Sequence, residues 1–349
     1  MPAELLLQSE YREFDALHYS KIKIVDSSPW ELIQERRPES KAMIMGTGVD
    51  MLLTTPDEWD KKFYVFEFTL PSQTTKFGKL VKMVYDSQDY SNEFIAVAYE
   101  ALEMKQIKLE KVIQDFEPYR DLLILKREEQ EKGKYVITNE ENIKINRAVY
   151  DLQTHPFTAK YFTQAKGIEI LYQTPIVYEH EIYEPEWQNP NGEVIGKRTN
   201  IQLKALIDLI YIDHNNKVIE PKDIKTTSVI DSFYKSILDY RYDIQNVIYF
   251  KAVKLYFSKL YPDYTFNKFE FLCADFSQPG KIKKFVLPEF FSYMGEDMDL
   301  SFEDWVTKSG RKMKGVNTLI KNYLWHIETG NYDYTKEIYD NNGTIFLEL

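Results

Sequence analysis

With 349 residues, 44% of them hydrophobic and 15% aromatic, the chain has ample core for one large domain or two and reads as globular rather than disordered. Its single cysteine, Cys273, excludes disulfides within the chain, cysteine-rich zinc sites and a four-cysteine iron–sulfur cluster. The net charge of -11 confines any nucleic-acid contact to a local basic patch on an acidic body. No apolar run reaches the roughly 18 residues of a membrane helix, and MPAELLLQSEYREF lacks a basic-then-apolar leader, so a soluble, cytoplasmic protein is expected.

Ser28-Pro29-Trp30-Glu31 has the form of a capping box with proline at the first helical position, which predicts a helix to about Arg37. Lys41–Leu53 reads as an apolar helix, and Thr55-Pro56-Asp57-Glu58 repeats the capping signature ahead of another. Gly46 and Gly48 lie inside the apolar helix, where each costs about 1 kcal/mol relative to alanine, so another backbone is expected to approach closely. Asp50 is the one carboxylate in that stretch. Phe63–Leu70 reads as a strand, then Lys76–Tyr85, Asn92–Gln106 and Leu109–Gln130 as helices. Lys105, Lys108, Lys111, Lys126 and Arg127 suit a phosphate-contacting face or, more simply, a solvated one.

Thr138-Asn139-Glu140-Glu141 is a third capping box, with helices following over Ile143–Thr154 and Pro156–Gln164 and Pro156 breaking between them after His155. Thr174–Tyr183 alternates as a strand with Glu179 and Glu181 on one face, as extra acidic ligands or as a solvated edge. Pro190-Asn191-Gly192 marks a turn. Two strands follow, Leu203–Ile212 and Val218–Thr226, joined by the turn His214-Asn215-Asn216 and too apolar for a surface hairpin. Asp208 sits within the first and Asp223 and Lys225 near the end of the second, the latter two on one face by alternation. Carboxylates buried in strands are costly unless cations or hydrogen bonds compensate, and this set makes a place for a divalent metal and an activated water. A strand pair with an incidental salt bridge is the plainer alternative.

Val229–Leu238 reads as a loop or short helix, and Asp243–Lys259 as a helix placing Gln245 and Tyr249 at i and i+4 on one face. Phe266–Phe276 and Lys281–Leu287 form a hairpin around Gln278-Pro279-Gly280. Lys308–Lys314, with Lys308, Arg311 and Lys312, is the densest basic cluster, and Lys281, Lys283 and Lys284 form a second; both suit phosphate backbone. Without repeats, linkers or a composition break, the chain is expected to form one α/β domain over residues 1–349, with a helical elaboration at about 74–134.

Asp208 followed by Asp223-Ile224-Lys225 resembles the PD-(D/E)XK nuclease core, a restriction-endonuclease-like mixed sheet flanked by helices. Glu220-Pro221-Lys222 fits the same short pattern. Pro221 cannot donate to a central ladder and is expected at a bulge or kink, and Lys225-Thr226-Thr227 matches the RecB-like branch better, so Asp223/Lys225 is the preferred register. Gln245-x-x-x-Tyr249, about 20 residues past Lys225, is a further mark of that branch. SSPWELI, KAMIMGTGVDMLL and TPDEWDKKFYVF look like the N-terminal half of phage-type exonuclease VIII (RecE-like) domains, with Asp50 where that family carries a metal-binding histidine. The resemblance implies magnesium, or manganese in its place, held by Asp208, Asp223, the Ile224 carbonyl and Asp50. It implies that Lys225 orients or deprotonates water, and that Gln245 and Tyr249 line the substrate channel. The implied reaction digests linear double-stranded DNA from its ends and leaves a 3′ tail for a single-strand annealing protein. Related phage exonucleases form rings, so a homo-oligomer of three or four subunits is implied too. A structure-specific or restriction-type endonuclease, or a non-catalytic DNA-binding module with the same fold, is the alternative.

Overall fold

A computed structural model describes residues 3–34, 38–188, 194–288 and 302–345. The chain divides into two compact units, residues 1–40 with 148–349, and residues 41–147. The first unit begins with β1 (Glu4–Leu5), α1 (Gln8–Glu13) and α2 (Tyr19–Ile24). Ser28 makes no side-chain cap, and in place of the expected helix only a 3₁₀ turn forms over Pro29–Leu32; residues 35–37 lie outside the described set.

The second unit opens with α3 (Lys41–Thr54), the apolar helix of the sequence. Gly48 gives way to side chains rather than to a backbone: a Cβ there would stand 2.9 Å from Ile145 Cδ1 and 3.4 Å from Trp59 Cζ3. After a 3₁₀ turn at Pro56–Glu58 come the short α4 (Trp59–Lys62) and β2 (Phe63–Phe66), which stops four residues earlier than its pattern suggested. Thr75 and Ser91 accept N–H bonds from Gly78 and Phe94, capping α5 (Lys76–Ser87) and α6 (Asn92–Ala101). α6 ends well before Gln106, with Glu103 just beyond it in the left-handed region at φ 49°. α7 (Leu109–Glu131) completes a small core around Leu80, Val84, Ile95, Phe116 and Leu123. β3 (Tyr135–Thr138) pairs in parallel with β2. The capping box at Thr138 is real: Glu141 N–H donates to Thr138 Oγ1 at 3.2 Å, and Glu141 Oε2 accepts from the Thr138 N–H at 2.8 Å. It starts α8 (Asn139–Thr154), along which the chain returns to the first unit.

There the fold is mixed α/β, with helices against a central, mostly antiparallel sheet. Only a 3₁₀ turn, Ala159–Phe162, forms in the stretch after Pro156. β4 (Ile168–Gln188) and β5 (Val194–Asp213) are long antiparallel partners, and the turn Pro190-Asn191-Gly192 between them lies outside the described residues. β6 (Val218–Thr227) follows, then α9 (Phe233–Asp239) and α10 (Tyr242–Leu260). β7 (Thr265–Phe266), β8 (Glu270–Asp275) and β9 (Ile282–Val286) complete the order β1-β4-β5-β6-β8-β9, with β7 on β6. The β6–β7 and β6–β8 pairs are parallel and the others antiparallel. The hairpin β10 (Trp305–Val306) and β11 (Lys312–Met313), then α11 (Val316–Thr329) and α12 (Lys336–Asp340), complete the unit. α10 buries most of its circumference, because Ile244, Val247, Ile248, Phe250, Ala252, Val253 and Phe257 join the sheet's Ile176, Leu203, Ile207, Ile210 and Phe271 in one core. Among the described residues no helix is long and apolar enough to cross a membrane.

Pro221 makes no bulge. The β5–β6 register runs unbroken from Asp213↔Val218 to Leu209↔Lys222 and includes Ile210↔Pro221. The carbonyls of Lys217 and Ile219 accept bonds from Thr265 and Asn267, so odd-numbered residues of β6 turn their backbone polar groups toward β7 and β8. At Pro221 that side is the break between the β7 pairing, which ends at Ile219, and the β8 pairing, which starts at Lys222. The missing N–H falls where no partner strand needs it.

Candidate active site

The ladder between β5 and β6 stops after Leu209↔Lys222, while β5 stays paired with β4 and β6 continues against β8 as far as Thr227↔Asp275. Extending the register by one position sets Asp208 opposite Asp223, and directly opposed residues share a face. The Ile224 N–H, which another ladder rung would have used, donates instead to Asp208 Oδ2 at 2.9 Å. Because N–H and C=O of one strand residue point the same way, the Ile224 carbonyl is turned toward the β5 side as well. Asp208 is half-buried and Asp223 is 1% exposed, so both carboxylates need compensation.

For Asp223 it comes from two directions. Gln245 Nε2, reaching from α10, donates to Asp223 Oδ1 at 2.6 Å. Lys225 Nζ is in ion-pair contact with Asp223 Oδ2, an oxygen that no hydrogen bond of good geometry reaches. Burial works against the Lys225 charge, but Asp223 and Asp208 outweigh it and hold the ammonium above the ordinary lysine range. Lys225 also lies 4.9 Å from the centre of the Tyr242 ring. Tyr249, one turn beyond Gln245, is pushed well above the usual phenol range by burial first and then by Tyr11, Asp223 and Asp208. The proposed contacts of Gln245 and Tyr249 therefore sit beside the carboxylates, and Gln245 is bonded to one of them.

Several neighbours had no legible signal in the sequence. Gln173 on β4 stands at the register position opposite Asp208, and its Nε2 reaches Asp208 Oδ1 at 3.4 Å. Tyr19 on α2 donates to the Tyr240 carbonyl, and its ring centre is 6.3 Å from that of Tyr242. Lys23, half-buried, lies 4.8 Å over the Tyr19 ring, its pKa lowered by burial and then by the Lys225 charge. Only Tyr242 stood near a motif, three residues ahead of Gln245.

The rival pair Glu220/Lys222 lies on the opposite face of β6 and is engaged there. Lys222, 1% exposed, contacts Glu220 Oε2 at 2.9 Å and Glu270 Oε2 at 2.7 Å. The Tyr161 hydroxyl donates to Glu220 at 2.8 Å, and Lys160 pairs with Glu220 at 3.0 Å. Burial alone would raise the Glu220 pKa; the Lys222 charge and the bonds from Lys222, Lys160 and Tyr161 outweigh it and hold it at about 2.

The remaining candidates lie on other elements. Asp50 is half-buried on α3, in the second unit. Glu179 and Glu181 pair in register with Gln202 and Asn200, six or more positions along β5 from Asp208, or about 20 Å. Glu181 takes a 2.9 Å ion pair from Arg198. In the basic clusters, Lys281 and Lys283 both bind Asp231, Lys284 reaches Glu270 at 3.5 Å, and Lys314 is tied to Asp26 at 2.8 Å and Glu337 at 2.9 Å. Lys308, Arg311 and Lys312 are exposed on the β10–β11 hairpin.

The sequence matches no family model and no curated protein. Among solved structures it is similar to a "Putative exonuclease" from Eubacterium rectale, at 12% identity and a TM-score of 0.36, covering 83% of this chain and 80% of that one. A likeness of that size carries no weight for the chemistry.

Proposed function

We propose that the chain is a magnesium-dependent deoxyribonuclease of PD-(D/E)XK type, closest in motif to the RecB-like, RecE-like branch. The observation that carries the reading is the opposition of Asp208 and Asp223 where two strands part, with Lys225 on the second carboxylate and Gln245 behind it. The donor set suits magnesium: hard carboxylate oxygens with the Ile224 carbonyl nearby, for an ion that keeps several waters and needs only one or two protein carboxylates. Asp208 and Asp223 are the carboxylates that would hold it, oriented by the Ile224 N–H on Asp208 Oδ2 and by Gln245 on Asp223 Oδ1. When bound, the metal supplies Lewis acidity toward a phosphodiester and acidifies water. By resemblance Asp50, on α3 of the second unit, would be a further ligand. Lys225, as an ammonium, donates hydrogen bonds that orient the attacking water or the scissile phosphate, and the Tyr242 ring supports it from behind. Gln245 keeps Asp223 in one rotamer. Asp223/Lys225 is favoured as the reacting register because it shares a face with Asp208, while Glu220 and Lys222 lie on the other face of β6 in a network with Glu270.

By resemblance the substrate is linear duplex DNA attacked from an end. Incubation with end-labelled linear DNA and with supercoiled circles, in magnesium and in chelator, tests this. Metal-dependent loss of the linear form with intact circles is expected. Nicked circles would transfer the reading to an endonuclease, and no cleavage of either would leave a DNA-binding module.

A further inference from the structure

Six residues into a 21-residue strand, Gln173 adopts φ 44°. That region is costly for a side chain that is neither glycine nor asparagine, by about 1–3 kcal/mol. A bulge would explain the strain by inserting a residue, but none is inserted: the register is the same on both sides, Tyr172↔Leu209 before and Thr174↔Ile207 after. The strand gives up one pair, the one opposite Asp208, and gains nothing in its ladder. What it gains lies in side-chain contacts. The Gln173 amide reaches Asp208 Oδ1 at 3.4 Å, and its carbonyl accepts from Gln8 Nε2 at 3.1 Å. With Ile224 N–H on Oδ2, Asp208 is then held by a donor on each oxygen.

We infer that Gln173 is a positioning residue for the metal site, its left-handed backbone spent on aiming an amide that fixes the plane of the Asp208 carboxylate. The inference rests on the magnesium reading above. It is tested on the full chain by calorimetry with Mn2+ and by thermal unfolding in chelator, on the wild type, Gln173→Gly and Gln173→Met. Glycine relieves the backbone and removes the amide; methionine keeps length and backbone cost and removes the amide alone. Both variants are expected to bind Mn2+ about tenfold more weakly, the usual size of a lost outer partner, with Gln173→Gly melting at or above the wild-type temperature. Wild-type affinity in Gln173→Met overturns the inference, whatever glycine does, because the amide would then be idle. A wild-type chain that binds no Mn2+ removes the magnesium reading itself, and this inference with it.

Discussion

Asp223 and Lys222 are adjacent in sequence and both are 1% exposed, yet they face opposite sides of one strand and are predicted to fail differently. Asp223→Ala, which removes a metal-holding carboxylate, and Lys225→Ala, which removes a preorganised donor, should each lower cleavage by at least about 10²- to 10³-fold, the range for a lost electrostatic group at the reacting centre, with the circular-dichroism spectrum unchanged. Lys222→Ala should instead cost about 3–5 kcal/mol of stability, because it leaves the buried Glu220 and the half-buried Glu270 without the cation they share. Its signature is in pH. Glu220 has a folded pKa of about 2 against an ordinary 4.5, so it stabilises the fold above 4.5, and that contribution is lost as pH falls from 4.5 through 2. Denaturant unfolding between those values should show a steep loss in the wild type and a flatter one in Lys222→Ala; parallel curves would mean the network does not couple to folding. Alternation made the Asp208, Asp223 and Lys225 placement legible, since a charge every second residue in an apolar run reads directly as a face. Gln173 was hidden because its anomaly is a backbone angle, and a glutamine between Tyr172 and Thr174 signals nothing about φ.

At the scale of elements, long periodic stretches were the readable ones: α3, α5, α7, α10 and the central strands lie where the pattern put them. Short segments were not. Two of the three serine- or threonine-led capping signatures produced 3₁₀ turns, because Ser28 and Thr55 make no side-chain cap while Thr138 does. The start of α10 depended on distant partners as well. Arg241 caps it at φ 56°, is 6% exposed, and binds Asp243 through Nε and Nη2 at 3.1 Å each, Asp26 at 3.1 Å, and the Lys314 carbonyl. Asp243 holds Trp305 Nε1 at 3.2 Å in turn. Arg241→Ala strips a buried carboxylate of its cation and should cost about 3–5 kcal/mol. Because α10 carries Gln245 onto Asp223, cleavage should fall with it even at temperatures where the chain stays folded. Chemical denaturation paired with a rate measurement well below the melting point checks this, and wild-type stability would mean solvent replaces the guanidinium at no cost.

Over the whole molecule, a charge of -11 must be reconciled with a polyanionic substrate. Counting lysines and arginines gave two basic clusters, but the fold neutralises much of them, since Asp231 takes Lys281 and Lys283 and two carboxylates take Lys314. Sequence proximity cannot register such pairing when Asp231 is 50 residues from Lys281. The cations left for phosphate in these clusters are Lys308, Arg311 and Lys312 on the β10–β11 hairpin. Each phosphate contact lowers the slope of log affinity against log salt by about 0.9, so three contacts predict a slope near -3 from this hairpin. Anisotropy of a labelled duplex, titrated in chelator over a range of sodium chloride, measures it. Lys312→Ala should flatten the slope by about one unit. Lys283→Ala should leave it unchanged, because that ammonium is already spent on Asp231. A slope that responds to Lys283 and not to Lys312 would place the DNA along β9 instead, and would restore the Lys281–Lys284 cluster to the lining of any ring the subunits form.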